Sequence, residues 1–334
     1  MLPDGVEELL PEAAQRVEQL RRQLLDLVRV WGYQQVMPSL VEYTESLLIG
    51  LGDEFESRSF KVVDELSGRL MAIRSDITPQ VARIDAHSLQ RDGLVRLCYA
   101  DTVLHTRPLS LLASRSPIQM GAEFYGEPGV ASDIEIACLM LESLQVAGLQ
   151  QLTVDLGHVG ILRSLLDAAA IDPRTQRELL DALQRKAAAE IHELARDSVA
   201  DSSLVRQLVA LAELHGDASL LSKARVVLHD APVAVARALD YLEQVAIEVE
   251  RRNPGIEFHF DLAELRGFHY HTGLIFAAYT PGHGAAVANG GRYDDIGRVF
   301  GRARPATGFS TELKTLARLG LQAESTEPVS YTHL

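Results

Sequence analysis

The stretch from Leu265 to Gly273 reads LRGFHYHTG and gathers side chains that can do chemistry: Arg266, His269, Tyr270 and His271. On a strand, His269 and His271 would share one face, so they could bind a metal ion if His259 or His283 supplied a third ligand. Zinc ligands usually follow recognisable spacings, and this stretch has none of them. The same residues could instead form a polar strand face lining a cleft, or a pocket for a small ligand.

Two further polar segments leave their chemistry equally open. RSDITPQ places Asp76 and Thr78 at a predicted helix start, where both residue types are also ordinary N-caps. NGGRYD, from Asn289 to Asp294, indicates a glycine turn that lets backbone approach a ligand closely, or a simple hairpin loop. The chain contains no GxxxxGK[ST] phosphate-binding loop.

Hydrophobic periodicity predicts the elements that must position these residues. A helix is predicted over 11–31, before Gly32, and the Ala-, Leu-, Glu- and Arg-rich block from about 173 to 250 is predicted to be helical. Strands are predicted for FKVVDE, RLMAIR, RLCYADTVLHT, SPIQMGAEFYG, IEFHFDLAE, TGLIFAAYT and AAVANGG. This order predicts an α+β fold in which an antiparallel sheet is flanked by helices and interrupted by a helical insertion. Residues 321–334 are expected to be a loose C-terminal tail.

Composition excludes several classes of protein. The 334 residues are 47% hydrophobic and 23% charged, which is typical of a globular protein with a large core. The net charge of −14 argues against general nucleic-acid binding, which needs Lys and Arg to neutralise phosphates. Cys98 and Cys138 form no CxxC pair, so no metal or redox motif is expected and a cytoplasmic location fits. Neither a secretory signal nor an apolar run long enough to span a membrane is readable.

The order of the motifs resembles the catalytic domain of histidyl-tRNA synthetase, a class II aminoacyl-tRNA synthetase. The resemblance runs from the opening LPDGVEELLPEAA to about residue 318, so residues 1–320 are expected to form one synthetase-like domain. It rests on the segments WGYQQVMPSLVEY, IRSDITPQ, SPIQMGAEFYG, LRGFHYHTG, NGGRYDDI and TGFSTEL.

The resemblance implies a histidine-binding pocket. Asp76 and Thr78 match residues that hold the ammonium group of the amino acid, although the family's usual acid is Glu. The other matched pocket positions are Gln119, Glu123, Arg266, Tyr270 and His271. At position 271 the family has a tyrosine that contacts the imidazole of the substrate.

The resemblance also implies that the groups that bind ATP are lost. The motif 2 phosphate-binding arginine corresponds to Leu104, or to His105 after a one-residue slip, and the neighbouring glutamate corresponds to Thr106. The motif 3 arginine corresponds to Thr315, whereas Arg115 matches a later loop arginine. Arginine suits phosphate because its planar fork donates two hydrogen bonds, so these changes predict a protein that cannot adenylate an amino acid.

Among synthetase-like proteins, LPDGVEELLP and SDITPQVARIDAH are most similar to the regulatory subunits of short-form ATP phosphoribosyltransferase. That family implies a non-catalytic subunit that needs no cofactor, dimerises, assembles with a separate catalytic subunit, activates it and confers inhibition by histidine. The expected absence of an anticodon-binding domain argues against tRNA charging. Histidine could bind the inherited pocket or the interface between the subunits.

Two other functions stay open from the sequence. One is a synthetase-like ligase that activates an amino acid. The other is a scaffold without a ligand, which dimerises through the helix from Val17 to Val30.

Overall fold

A computed structural model describes residues 1–47, 53–108, 113–265, 267–268 and 270–325, without the side chains of 53–55 and 321–325. The helices are α1 Pro11–Val30, α2 Thr44–Leu47, α3 Asp53–Arg58, α4 Thr78–Arg83, α5 Val130–Val146, α6 Val159–Ala169, α7 Pro173–Gln184, α8 Ala188–Ser198, α9 Ser202–Leu211, α10 Ser219–Val227, α11 Val233–Arg252 and α12 Leu313–Ser325. A π-helical turn covers Ile84–Leu89 and a 3-10 turn covers Ile296–Phe300.

The strands are β1 Gln34–Gln35, β2 Val41–Tyr43, β3 Lys61–Val63, β4 Leu70–Ile73, β5 Val95–Thr102, β6 Ile118–Tyr125, β7 Thr153–His158, β8 His215–Gly216, β9 Glu257–Asp261, β10 Leu274–Tyr279, β11 Ala288–Arg292 and β12 Ala306–Glu312. The chain divides into two compact units, which are described one at a time.

The first unit comprises Met1–Pro128, Leu139–Gln150 and Asp294–Leu334. Its main sheet has the order β1-β5-β6-β12, in which β1 and β5 are parallel and the other pairs are antiparallel. Helix α1 packs on β5 and α12 because one face of the helix is apolar. The buried residues of that face are Val17, Leu20, Leu24 and Val28. Strands β2, β4 and β3 form a small antiparallel sheet.

The second unit comprises Gly129–Cys138 and Gln151–Tyr293. Its strands have the order β11-β10-β7-β9-β8, and only β7 and β9 are parallel. Helix α11 packs on β7 and α6, and α9 also packs on α6. Five helices, α7 to α11, fill residues 173–252 with only the short β8 between them. The second unit therefore consists of a mostly antiparallel sheet with helices packed against it.

These elements confirm the predicted fold class, α+β with an antiparallel sheet flanked by helices. The predicted helix over 11–31 is α1, and the two predicted antiparallel pairs are β3–β4 and β5–β6. Residues 321–325 continue α12, so this part of the expected tail is helical, and 326–334 lie outside the described residues. In the described part of the chain, no helix is both long and apolar enough to cross a membrane.

Candidate functional site

In the first unit, Gln119 holds the segment that leads into α4. The Gln119 side chain donates from Nε2 to Asp76 Oδ1 at 2.9 Å and accepts at Oε1 from the Ile77 amide at 2.9 Å. The Thr78 amide donates to the same Asp76 oxygen at 3.0 Å. Asp76 therefore accepts one hydrogen bond from the backbone amide of Thr78, the first residue of α4, and another from the side chain of Gln119 on β6. The carboxylate is fixed in one orientation.

Thr78, Tyr99 and Glu123 form a hydrogen-bonded chain beside Asp76. The hydroxyls of Thr78 and Tyr99 lie 3.0 Å apart, and Tyr99 donates to Glu123 Oε1 at 3.1 Å. Burial, followed by the negative charges of Glu123 and Asp76, raises the pKa of Tyr99 well above its usual value. Tyr99 therefore stays protonated, donates to Glu123, and accepts from Thr78. The cluster presents two carboxylates and hydroxyl acceptors, which suits a cationic group such as an ammonium.

Two glycines make room for this cluster. Tyr99 lies opposite Gly121, and Glu123 lies opposite Gly308. A Cβ at position 121 would lie 2.4 Å from the Tyr99 hydroxyl, and one at 308 would lie 1.6 Å from Glu123 Oε2. The sequence interpretation missed Tyr99, because RLCYADT reads only as a strand. A glycine inside the facing strand was the available signal, since it marks a close approach.

In the second unit, the described part of the LRGFHYHTG segment forms a turn that precedes a strand. Gly267 has φ +63°, and its carbonyl accepts from the amides of both Tyr270 and His271 at 2.8 Å. Strand β10 begins only at Leu274. The interpretation that His269 and His271 share a strand face is therefore wrong for His271, which lies in the turn; His269 lies outside the described residues.

The His271 ring packs closely against two glycines, Gly267 and Gly291. A Cβ at Gly291 would be 2.7 Å from His271 Cδ2, and one at Gly267 would be 2.5 Å from His271 Nδ1. Gly291 lies inside β11, so the predicted strand AAVANGG is confirmed, and the prediction of a glycine turn is wrong for Asn289 to Arg292. The expected close approach of backbone is present, and its neighbour is the imidazole of His271.

Tyr270 packs against two rings. Its centroid lies 5.3 Å from that of His271 at 90° and 5.1 Å from that of Tyr293 at 31°. Tyr293, in the NGGRYD segment, is an aromatic neighbour that the sequence interpretation did not assign. Arg266 lies outside the described residues, so its predicted place in the pocket stays a prediction. Within the described ranges, no three His, Cys, Asp or Glu side chains are arranged to hold a metal ion.

The positions matched to phosphate-binding groups have local structural partners. Thr106 Oγ1 donates to the Ser57 carbonyl at 2.8 Å, and the Thr315 amide donates to Glu312 Oε2 at 2.6 Å. His105 lies 2.9 Å through Nε2 from the Ser75 carbonyl, and burial lowers its pKa. A neutral imidazole at this position provides no positive charge for a phosphate.

Arg115, the arginine matched to the later motif 2 loop, holds the N-terminal segment. It donates from Nη1 to the Asp4 carbonyl at 2.8 Å and from Nε to the His105 carbonyl at 3.0 Å. The Arg115 amide donates to the Gly5 carbonyl at 2.8 Å, and a Cβ at Gly5 would meet the Arg115 side chain at 2.9 Å. The guanidinium therefore donates hydrogen bonds to two backbone carbonyls of the protein itself.

Comparisons with known proteins show which proteins share this sequence and fold. A family model described as histidyl-tRNA synthetase matches residues 5–316. The chain is 55% identical over 328 residues to the ATP phosphoribosyltransferase regulatory subunit of Thioalkalivibrio sulfidiphilus, covering 98% of this chain and 83% of that protein. A structure described as an ATP phosphoribosyltransferase regulatory subunit/histidyl-tRNA synthetase from Bacillus halodurans C superposes with a TM-score of 0.84 at 26% identity, covering 95% of this chain and 82% of that one.

A second solved structure, an ATP phosphoribosyl transferase (HisG:HisZ) complex from Thermotoga maritima, shares the fold. Its TM-score is 0.68 at 19% identity, and the match covers 88% of this chain and 96% of that chain. The predicted class II synthetase-like fold is confirmed by these matches.

Proposed function

Because this chain belongs to the family of ATP phosphoribosyltransferase regulatory subunits, a regulatory and not a catalytic family, we propose that it assembles with a separate catalytic subunit, activates it and confers inhibition by histidine. One observation carries the proposal: Asp76, Thr78 and Glu123 lie in one hydrogen-bonded acidic cluster, whereas the positions matched to phosphate-binding arginines hold Leu104 and Thr315. A site of this kind can hold an amino acid without activating it. The cytoplasm is the proposed location, because both cysteines are buried and neither forms a disulfide.

The electrostatics of the first unit support the loss of synthetase chemistry. Adenylation develops charge on a phosphoryl group, and fixed cations normally stabilise that charge. Here the matched positions hold a neutral His105 and an Arg115 whose guanidinium donates to the Asp4 and His105 carbonyls. ATP–pyrophosphate exchange in the presence of histidine tests this directly, and measurable exchange would favour the ligase alternative.

Histidine is the proposed ligand of the inherited pocket. Its ammonium group would be bound by Asp76, Thr78 and Glu123, with Gln119 holding Asp76 in place. Tyr270 and His271 would contact the imidazole, because an imidazole at 271 can donate or accept a hydrogen bond. Arg266 is proposed as a further pocket residue on the resemblance alone. If histidine binds the interface between the subunits instead, variants of these residues will leave inhibition unchanged.

Self-association as a dimer is a further part of the proposal. The apolar residues of α1 between Val17 and Val28 pack inside the first unit, so they are not available to a second copy. The small sheet and its hairpin turn, in contrast, expose apolar side chains, which commonly mark an interaction surface. These side chains are Val62, Val63, Leu66 and Leu70.

Light scattering of a Val63→Glu variant tests the dimer. Val63 is 64% exposed in β3, and Ile247→Glu changes a side chain of 58% exposure on α11 as a matched control. The proposal expects Val63→Glu alone to lower the molecular mass in solution. An unchanged mass would assign the contact to another surface.

The experiment that tests the main proposal is a rate measurement. Phosphoribosyl-ATP formation by a purified short-form catalytic subunit is followed with and without this chain, while histidine is titrated. The proposal expects this chain to raise the rate and histidine to suppress it. If the rate is the same with and without this chain, the proposed partner is wrong. A melting temperature that histidine leaves unchanged would favour the scaffold alternative, because a ligand that binds only the native state stabilises it.

A further inference from the structure

A buried ion pair in the second unit lies next to the turn that carries His271. Arg292 donates from Nε to Asp133 Oδ2 and from Nη2 to Asp133 Oδ1, each at 3.1 Å. Its Nη2 also donates to Ser132 Oγ at 2.8 Å and to the Gly129 carbonyl at 3.1 Å. The Asp133 side chain is 0% exposed and that of Arg292 is 7% exposed. Loss of either partner would leave a buried charge uncompensated, so the pair fixes one geometry.

Arg292 holds the turn that carries His271 through both its backbone and its side chain. Its carbonyl accepts from the Thr272 amide at 2.7 Å. A Cβ at Gly273 would lie 3.0 Å from Arg292 Cδ, so the arginine stem packs against this glycine. The Gly273 carbonyl accepts from the Val159 amide at 3.0 Å. His271 directly precedes these two residues, so its position depends on Arg292 and on the start of α6.

Tyr241 of α11 contacts Asp133, the partner of Arg292, and His158, which precedes α6. Its hydroxyl donates to Asp133 Oδ2 at 2.5 Å, the same oxygen that accepts from Arg292 Nε. Its ring meets His158 edge-on with centroids 5.6 Å apart, and His158 is the N-cap of α6. Burial, followed by the charge of Asp133, raises the pKa of Tyr241, so the hydroxyl stays protonated and donates.

We propose that Tyr241 is a positioning residue for the histidine-binding turn, because its hydroxyl connects α11 through Asp133 and Arg292 to Thr272 and His271. This inference rests on the proposed function where it concerns histidine. It also gives a role to the helical block from 173 to 250, which the sequence left without one. Linkage makes the effect reciprocal, so a ligand that orders the turn beside His271 also stabilises the contacts of Tyr241 on α11.

Tyr241→Phe is the discriminating variant. It keeps the aromatic ring, the contact with His158 and the Asp133–Arg292 pair, and it removes one hydroxyl. Glu243→Ala is the matched control, because it removes a hydrogen-bonded side chain from the same helix, where Glu243 accepts from Arg225 at 2.7 Å on the surface. Neither residue lies in the acidic cluster of the first unit.

Hydrogen–deuterium exchange of the full chain without ligand is the first readout. The expected result is faster exchange in peptides covering 267–274 for Tyr241→Phe, with no change for Glu243→Ala. Peptides covering β6 and β9 should exchange as in the wild type. Unchanged exchange in 267–274 would overturn the proposal. A rise across the whole second unit would also overturn it, because that pattern belongs to general packing.

Histidine affinity by calorimetry is the second readout. Tyr241→Phe is expected to weaken histidine binding by about fivefold or more, which is the lower end of typical coupling between sites. The affinity of Glu243→Ala should match that of the wild type. If the wild type binds no histidine, the proposed histidine pocket of this chain fails, and the exchange comparison still decides whether Tyr241 holds the turn. Unaltered affinity in Tyr241→Phe would refute the positioning role at the ligand site.

Discussion

The carboxylate of Glu123 occupies the space that a side chain at Gly308 would need. The two residues lie opposite each other on β6 and β12, and a Cβ at 308 would lie 1.6 Å from Glu123 Oε2. Glu123 also accepts from Tyr99, whose hydroxyl lies 3.0 Å from that of Thr78. The smallest residue of one strand therefore determines where the acidic group of the neighbouring strand can lie.

Gly308→Ala should displace the Glu123 carboxylate and weaken histidine binding. The added methyl group overpacks a full site, so a destabilisation of about 1–3 kcal/mol is expected as well. Calorimetric titration with histidine and urea unfolding measure the two effects. Gly284→Ala is the control, because a Cβ at 284 meets nothing within 4 Å. If Gly308→Ala binds histidine as tightly as the wild type, Glu123 does not contact the ligand.

Asp76→Asn should reduce histidine affinity by about 10- to 100-fold, because the ammonium group loses the attraction of a charged acceptor and keeps only a neutral amide oxygen. The asparagine oxygen can still accept from Gln119 and the Thr78 amide, so the free energy of unfolding should change little. Calorimetry and urea unfolding separate binding from stability. Glu65→Gln removes an exposed carboxylate elsewhere in the first unit as the control. Equal affinities for Asp76→Asn and the wild type would point to a histidine site outside this cluster.

Local sequence patterns predict most of the helices and strands, and they predict part of the acidic cluster in the first unit. Helix α1 and the β5–β6 pair follow from periodicity, and alternation on β6 places Gln119 and Glu123 on one face. Tyr99 was missed because β5 is buried on both faces, so its pattern does not separate a site residue from the core.

The long-range contacts of the second unit could not be read from the sequence. Asp133 and Arg292 are 159 residues apart, and no local signal pairs them. The sequence predicts a turn at the glycines of β11 as well as the strand AAVANGG, because a close approach and a turn both favour glycine. Only the register of β10 and β11, with Ile275 opposite Gly291, places that glycine beside His271.

Cys98 should resist alkylation in the native protein. It is 1% exposed on β5, and burial raises its pKa to about 12, so almost no thiolate exists at neutral pH. Iodoacetamide at pH 8, followed by peptide mass spectrometry, should find Cys98 unmodified in buffer and modified in urea. Rapid native labelling at Cys98 would mean that β5 opens readily.

His158 should make the stability of the second unit depend on pH. Burial, followed by the charge of Arg292, lowers the pKa of His158 from 6.5 to about 4, so the folded state holds a neutral imidazole. The unfolded chain binds the proton more tightly, so the stability is complete above pH 6.5 and is lost as the pH falls towards 4. Between pH 7 and pH 5 the loss from this one residue is about 2 kcal/mol.

Urea unfolding at pH 7 and pH 5 measures this loss. His158 Nδ1 accepts from the Gly160 amide at 3.1 Å, and asparagine is also a good N-cap, so His158→Asn keeps the cap and removes the titration. The variant should therefore lose about 2 kcal/mol less than the wild type between the two pH values. His229→Asn, at a histidine whose side chain is 69% exposed, should behave like the wild type. An equal loss in His158→Asn and the wild type would assign the acid sensitivity to other groups.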